Sequence, residues 1–154
     1  MIELVENFSM DTQWIADMIA DPKELFLVWP KAVWPFDREQ WRQVLDPALG
    51  HKSFFVRADN CIVGHAAMRR CEQPNVYSVN FLYLTPQWRG RGLGRELVGA
   101  IEAYGRNKLG AERLLLVVRS YNLRARRCYM KCGFSPCETE GTLIRMVKYL
   151  NPDP

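Results

Sequence analysis

Apolar side chains recur at Leu93, Leu97, Val98, Ile101 and Tyr104, the three- and four-residue spacing of a helix with one buried face. Arg91, Arg95, Glu96, Glu102 and Arg106 fall off that stripe, so the pattern predicts an amphipathic helix from residue 92 to about 108, ended by Gly110. A shorter stripe, Trp14, Ile15, Met18 and Ile19, predicts a helix over 11–20 with Ser9 or Asp11 as its cap. Asp37 can cap another that carries Trp41, Val44 and Leu45 and stops near Pro47. The middle of the chain turns to strand chemistry. Residues 53–57 and 61–69 flank Ala58-Asp59-Asn60, a hairpin signal, and the aromatic-rich run 77–85 is stopped by Pro86. Residues 114–118 are continuously apolar, as in a strand buried on both faces. Residues 2–5 add a first strand, 122–131 a short helix stopped by Gly133, and 142–149 a last strand.

The order is strand, two helices, three strands, helix, strand, helix and then one or two strands. It predicts an α/β (mixed α+β) domain, a mixed sheet with helices packed on it. The unit from 77 to 118 is expected to be a right-handed crossover between parallel strands. With 154 residues the chain is read as one domain, 1–154, and its 48% apolar and 25% charged composition excludes a disordered, collagenous or coiled-coil class. The longest apolar runs, 25–29 and 114–118, are far short of the roughly 20 residues that span a bilayer, so no membrane partner is expected. Residues 1–6 carry neither the basic start nor the apolar block of a secretory signal, and the five cysteines follow no framework spacing. Both point to reduced thiols and a cytoplasmic protein.

Charge is unevenly spread. Residues 87–133 hold 11 Lys/Arg against 3 Asp/Glu, a balance of +8, whereas residues 1–50 hold 4 against 9, a balance of −5. An anionic ligand on the basic side and a cationic one on the other is one reading; solvated helix faces are the other.

The most informative stretch runs from Leu84 to Gly94 and contains Arg89-Gly90-Arg91-Gly92-Leu93-Gly94-Arg95. Glycines at alternate positions permit a sharp turn and a close backbone approach, and the helix that follows offers free N–H groups to an anion such as a pyrophosphate. The loop lacks the Lys and Ser/Thr of a P-loop and the spacing of a dinucleotide fingerprint. Downstream comes Asn122-x-x-Ala125-x-x-x-Tyr129-x-x-x-Gly133-Phe134, which places Asn122 and Tyr129 two turns apart along one helix. Read singly, the turn reverses the chain, Asn122 is a cap and Tyr129 a core aromatic.

Together the two motifs resemble the GCN5-related N-acetyltransferase (GNAT) superfamily. Its acyl-CoA loop, Gln/Arg-x-x-Gly-x-Gly/Ala, is matched by Arg89, Gly92 and Gly94, and its next motif by Asn122, Ala125, Tyr129, Gly133 and Phe134. The element order is similar from about residue 2 to residue 150. The resemblance implies a sheet of six to seven strands flanked by about four helices, splayed between the strands at 77–85 and 114–118, with acetyl-CoA bound in the splay. It implies a donor site of Leu82, Tyr83, Leu84, Arg89, Gly90, Arg91, Gly92, Leu93, Gly94, Arg95, Asn122 and Tyr129, and no metal. A backbone N–H near Leu84, freed by a bulge, would stabilise the oxyanion formed when a neutral amine attacks the thioester. Tyr129 would protonate the departing thiolate. Many members carry a Glu in the strand before the loop; residues 77–85 contain no carboxylate, which leaves the base open, with Glu24 or Glu72 as options and His65 as a packed residue.

By the same resemblance the N-terminal helices and last strands form the acceptor pocket, which puts Trp29, Trp34 and Phe36 in it. These rigid aromatics equally suit a core under a loop. The expected acceptor is a small amine or amino-acid-like molecule; a protein N-terminus or lysine is the alternative within the class. From another class come a non-catalytic acyl-CoA-binding module with the same fold and a nucleic-acid-binding module; the aromatics are not interleaved with the basic block, which disfavours the latter, so no nucleic-acid partner is expected. The family often forms homodimers. Cys128, Cys132 and Cys137 lack paired metal-ligand spacing.

Overall fold

The computed structural model describes residues 1–150; the last four residues of the domain read over 1–154 lie outside that range. Seven strands form one sheet: β1 (Ile2–Glu6), β2 (Lys52–Ala58), β3 (Cys61–Arg70), β4 (Val76–Leu84), β5 (Arg113–Arg119), β6 (Ser135–Glu140) and β7 (Leu143–Tyr149). They lie in the order β1-β2-β3-β4-β5-β7-β6, and every neighbouring pair is antiparallel except β4 and β5. The parallel pair is the crossover expected from the sequence, bridged by the long helix α4 (Leu93–Lys108). The fold class holds as expected, with five helices among the described residues rather than four.

The additional helix is α2 (Pro22–Val28), which follows α1 (Thr12–Met18) and precedes α3 (Arg38–Val44). The apolar run 25–29 hid it. Its start signals are nevertheless local: Asp21 accepts from the Lys23 N–H, Pro22 occupies the first turn, and Glu24 is acidic beside the helix N-terminus. The same capping logic starts α1 at Asp11 and α3 at Asp37. Helix α5 (Leu123–Lys131) begins at Asn122, whose Oδ1 accepts from the Ala125 N–H at 3.3 Å.

Each face of the sheet has its own core. On one, α4 lays Leu97, Val98 and Ile101 over Phe54, Met68, Leu114 and Met146. On the other, the N-terminal helices bury Ile15, Leu25, Trp41 and Leu45 against Phe55, Phe81 and Tyr83. Ile101, Leu114, Leu25 and Trp41 are fully buried, and each such side chain is worth about 1.5–3 kcal/mol of transfer free energy.

Two irregularities in β4 decide the shape of the site. First, β4 pairs with β5 only through Val76–Arg113, Tyr77–Leu114 and Ser78–Leu115, after which the strands part. Secondly, the register against β3 runs from Ala67–Asn80 to His65–Tyr83, so β4 carries one extra residue there. Phe81 within this bulge has a left-handed φ of 55°, uncommon for an aromatic residue. Its carbonyl has left the ladder and accepts a hydrogen bond from Nδ1 of His65 at 3.1 Å, while Nε2 of His65 meets the Ser53 hydroxyl at 2.7 Å. Because the carbonyl can only accept, Nδ1 carries the proton and Nε2 accepts from Ser53. His65 is fully buried, and burial pulls its pKa down to about 4.

The neutral imidazole therefore holds the bulge. Above pH 6.5 both folded and unfolded His65 are neutral and stability is independent of it. Below 6.5 the unfolded chain takes up a proton that the folded one refuses until about pH 4, so stability falls through that window. The expected loss is roughly 3 kcal/mol. Urea unfolding of the wild type and His65→Gln between pH 7 and 4 measures it; parallel profiles for the two would contradict the assignment.

Candidate active site

The parting of β4 and β5 opens a cleft of about 850 Å³. Strand β4 supplies Leu82, Tyr83 and Leu84 to its floor. The turn into α4 supplies Arg89, Gly90, Gly92, Gly94 and Arg95 to one wall, and α5 supplies Tyr129 together with its cap Asn122. The opposite wall is α2 and the segment after it, with Glu24, Val28, Trp29 and Lys31.

The bulge lies at Phe81–Leu82, earlier in β4 than the Leu84 position named from the sequence. Leu84 still presents its backbone to the cleft. The Thr85 N–H donates to the Val63 carbonyl, so by antiparallel alternation the next pair, Gly64–Leu84, is not hydrogen-bonded and the Leu84 N–H and C=O point away from β3. The Leu84 carbonyl accepts from Nε of Arg89 at 2.8 Å, which fits that direction. Its N–H faces the gap, where β5 is already out of pairing range.

Helix α4 begins without a side-chain cap. Gly92 occupies the cap position at φ 79°, and Gly90 sits at φ 75°, conformations that a side chain resists. The first-turn N–H groups of a 16-residue helix thus face the cleft with no side-chain acceptor, which is the electrostatic condition for binding an anion. Arg95, Arg124, Arg127 and Lys131 line the same wall, and no side-chain hydrogen bond or ion pair among the described residues engages them. Nη2 of Arg124 lies 3.3 Å from the point where a Cβ on Gly90 would sit.

Arg89 is differently placed. Besides its bond to Leu84 it pairs with Glu24 at 2.5 Å, and its guanidinium lies 5.3 Å over the Tyr83 ring. The Tyr83 hydroxyl donates to the other Glu24 oxygen at 2.9 Å, and burial, then this bond, pushes the Tyr83 pKa up to about 12. The phenol of Tyr129 makes no hydrogen bond among the described residues. Burial, followed by its neighbours Cys128 and Cys132, raises its pKa above the ordinary phenol value, so it stays protonated at neutral pH.

Four residues named from the sequence stand elsewhere. Arg91 stacks over Trp88 at 4.7 Å and Leu93 is buried in the first turn of α4, both outside the cleft lining. Phe36 stacks on Trp41 with 5.2 Å between ring centroids, and Trp34 is 45% exposed away from the cleft. Phe36 is held away from the opening by its stacking on Trp41. Trp29 does both jobs: it lines the cleft and packs edge-on against Trp41. Glu72 is outside the lining and Glu24 within it. The sequence reading did not select Arg69 and Asn80, which also line the cleft. They sit on β3 and β4, where no motif marks them.

The model of the Acetyltransferase (GNAT) family matches residues 15–134. The chain belongs to this family. It is accordingly an acetyltransferase that takes its acetyl group from acetyl-CoA. An aminoglycoside N(6′)-acetyltransferase type 1 from Stenotrophomonas maltophilia is 34% identical over 118 residues, 72% of this chain and 75% of that protein. Among solved structures, aminoglycoside acetyltransferase AAC(6′)-Ib with coenzyme A superposes with a TM-score of 0.79 at 20% identity, covering 97% of this chain and 95% of that one. Spermidine N-acetyltransferase from Vibrio cholerae, in complex with CoA and spermine, gives 0.75 at 17% identity over 97% and 94%.

The glycines of the loop separate on stability. Gly92→Ala is expected to cost about 1 kcal/mol, because its φ suits only glycine. Gly94→Ala is expected to be neutral or slightly stabilising, since its Cβ would meet only Sγ of Cys128 at 3.5 Å inside a helix. Urea midpoints of the two variants test the contrast.

Proposed function

We propose that this GNAT enzyme N-acetylates a small-molecule primary amine held between α2 and the bulged β4. The observation that carries it is the cleft itself, which joins an uncapped, cation-flanked helix start on one wall to a compact pocket floored by β4 and walled by Trp29 and Val28 on the other. The names of the relatives, acting on aminoglycosides and spermidine, support a small amine as the acceptor class.

Each wall then has a task. The α4 N–H groups and Arg95, Arg124, Arg127 and Lys131 hold the diphosphate and 3′-phosphate of the donor. The Leu84 N–H lies where an oxyanion develops as the amine adds to the thioester carbonyl, a donor worth roughly 3 kcal/mol to the transition state. Asn122 holds the first turn of α5 and so sets the position of Tyr129. With a pKa raised above that of a thiol near 8.5, the Tyr129 phenol loses its proton less readily than the departing thiol. It therefore stabilises the thiolate mainly by donating a hydrogen bond, and its contribution falls at the low end of acid catalysis. Glu24, with both oxygens taken by Tyr83 and Arg89, braces the acyl-CoA turn against α2 rather than serving as the base.

Release of free thiol from acetyl-CoA across amines, amino acids and peptides tests the assignment; a protein that binds acetyl-CoA yet transfers to none of them would refute it. Tyr129→Phe is expected to lower kcat roughly tenfold to a hundredfold with the acetyl-CoA Kd unchanged. Arg124→Ala combined with Arg127→Ala is expected to weaken acetyl-CoA binding at least tenfold and to flatten its salt dependence, both read by calorimetry.

A further inference from the structure

We infer that the acceptor is a monoamine carried on an apolar body, and not a polycation such as kanamycin or spermidine; this rests on the acetyl-transfer reading and narrows its substrate class. The two faces of the sheet divide the cleft. Leu116 and Val118 of β5 are buried in the core cluster that holds the α4 residues, so by strand alternation Val117 and Arg119 face the other side, where the N-terminal helices pack. The phosphates of the donor are held on the α4 side, which leaves the α2 side to the acceptor.

The walls on that side are apolar. Leu27, Val28 and Trp29 line the cleft from α2 and the residue after it, and Val117 and Leu143 line it from β5 and β7. Leu27 and Val117 are each 50% exposed. Exposed aliphatic groups on two walls of one concavity form a surface that an apolar ligand covers. The amine end is set by the chemistry, because it must reach a thioester carbonyl beside the Leu84 N–H. Glu24 is tied to that point: it accepts from Tyr83 and pairs with Arg89, which in turn donates to the Leu84 carbonyl. Leu27 and Val28 follow Glu24 by one turn of α2, about 5 Å. The apolar wall thus begins where the amine ends.

Charge rules out the polycation. Among the described residues Glu24 is the one carboxylate in the lining, and Tyr83 and Arg89 occupy both of its oxygens. Lys31, Arg69 and Arg119 add positive charge to the lining. An amine attacks as the neutral base, and neighbouring cations favour that form, so the reacting nitrogen of a monoamine brings no charge to the site. Every further ammonium of a polycation stays charged, among cations and with no free carboxylate to receive it.

Thiol release at saturating acetyl-CoA compares n-alkylamines from butyl to octyl, and phenethylamine, with the α,ω-diamine of each alkyl chain, spermidine and kanamycin. In the monoamine series kcat/KM is expected to rise about threefold to fourfold per methylene until the wall is covered. Each longer monoamine is expected to exceed its diamine tenfold or more. Leu27→Asn is expected to flatten the chain-length dependence. Leu27→Asp is expected to flatten it equally and also to raise the diamine-to-monoamine ratio at least tenfold, with the acetyl-CoA KM within twofold for both variants. Thermal melts check that they fold, and the wild-type ratios decide the inference by themselves should either variant fail to. A diamine, spermidine or kanamycin turned over faster than every monoamine overturns the inference and leaves acetyl transfer to a small amine intact. Indifference to chain length, or an unchanged diamine-to-monoamine ratio in folded Leu27→Asp, overturns it as well. Silence toward all of these monoamines does the same, and only silence toward every other amine, amino acid and peptide removes the transferase reading beneath it.

Discussion

A single inserted residue in the central strand organises this molecule. The bulge at Phe81 follows the end of the β4–β5 pairing at Ser78 and turns a carbonyl toward His65. A sheet that closed normally here would bury its strand ends and leave no concavity. Splaying exposes backbone polar groups, and that exposure is tolerated because the carbonyls find alternative partners. The Phe81 carbonyl goes to the imidazole and the Leu84 carbonyl to Arg89, which leaves the Leu84 N–H facing the gap. His65 donates from Nδ1 and, kept neutral by burial, accepts from Ser53 at Nε2.

Charge is partitioned around this opening with similar economy. Arginines of the basic segment that serve the scaffold are committed: Arg106 to Glu102, Arg126 to the Ser120 carbonyl, Arg89 to Glu24. Those facing the α4 turn are not, and they surround a helix start that lacks a side-chain cap. The pairing of Arg89 with Glu24 joins the glycine–arginine turn to α2, so the two walls of the cleft share one bracket.

Much of the fold was legible in the chain. The 3.6-residue stripe of α4, the continuous apolar run of β5 and the turn residues between β2 and β3 are local signals, and the structure follows them to within one or two residues at most ends. Helix α2 was missed because its apolar run masked an Asp-Pro start, and α1 ends at Met18 rather than at residue 20. The glycine–arginine turn and the Asn122–Tyr129 pair were legible too, because anion binding at a helix start and capping are written in adjacent residues.

The acceptor half was not. Trp29, Trp34 and Phe36 look alike in sequence, yet only Trp29 reaches the cleft, since which aromatic turns inward depends on how α2 and α3 pack around Trp41. Arg69 and Asn80 become neighbours only through the β3–β4 register, which no residue type announces. The amino-acid sequence by itself determined the elements, the order in which they follow one another and the donor loop, because those depend on contacts between residues close along the chain. Tertiary structure alone decided which polar atoms are left unmatched and which side chains meet across the opening, because those depend on pairings between strands and helices far apart in sequence.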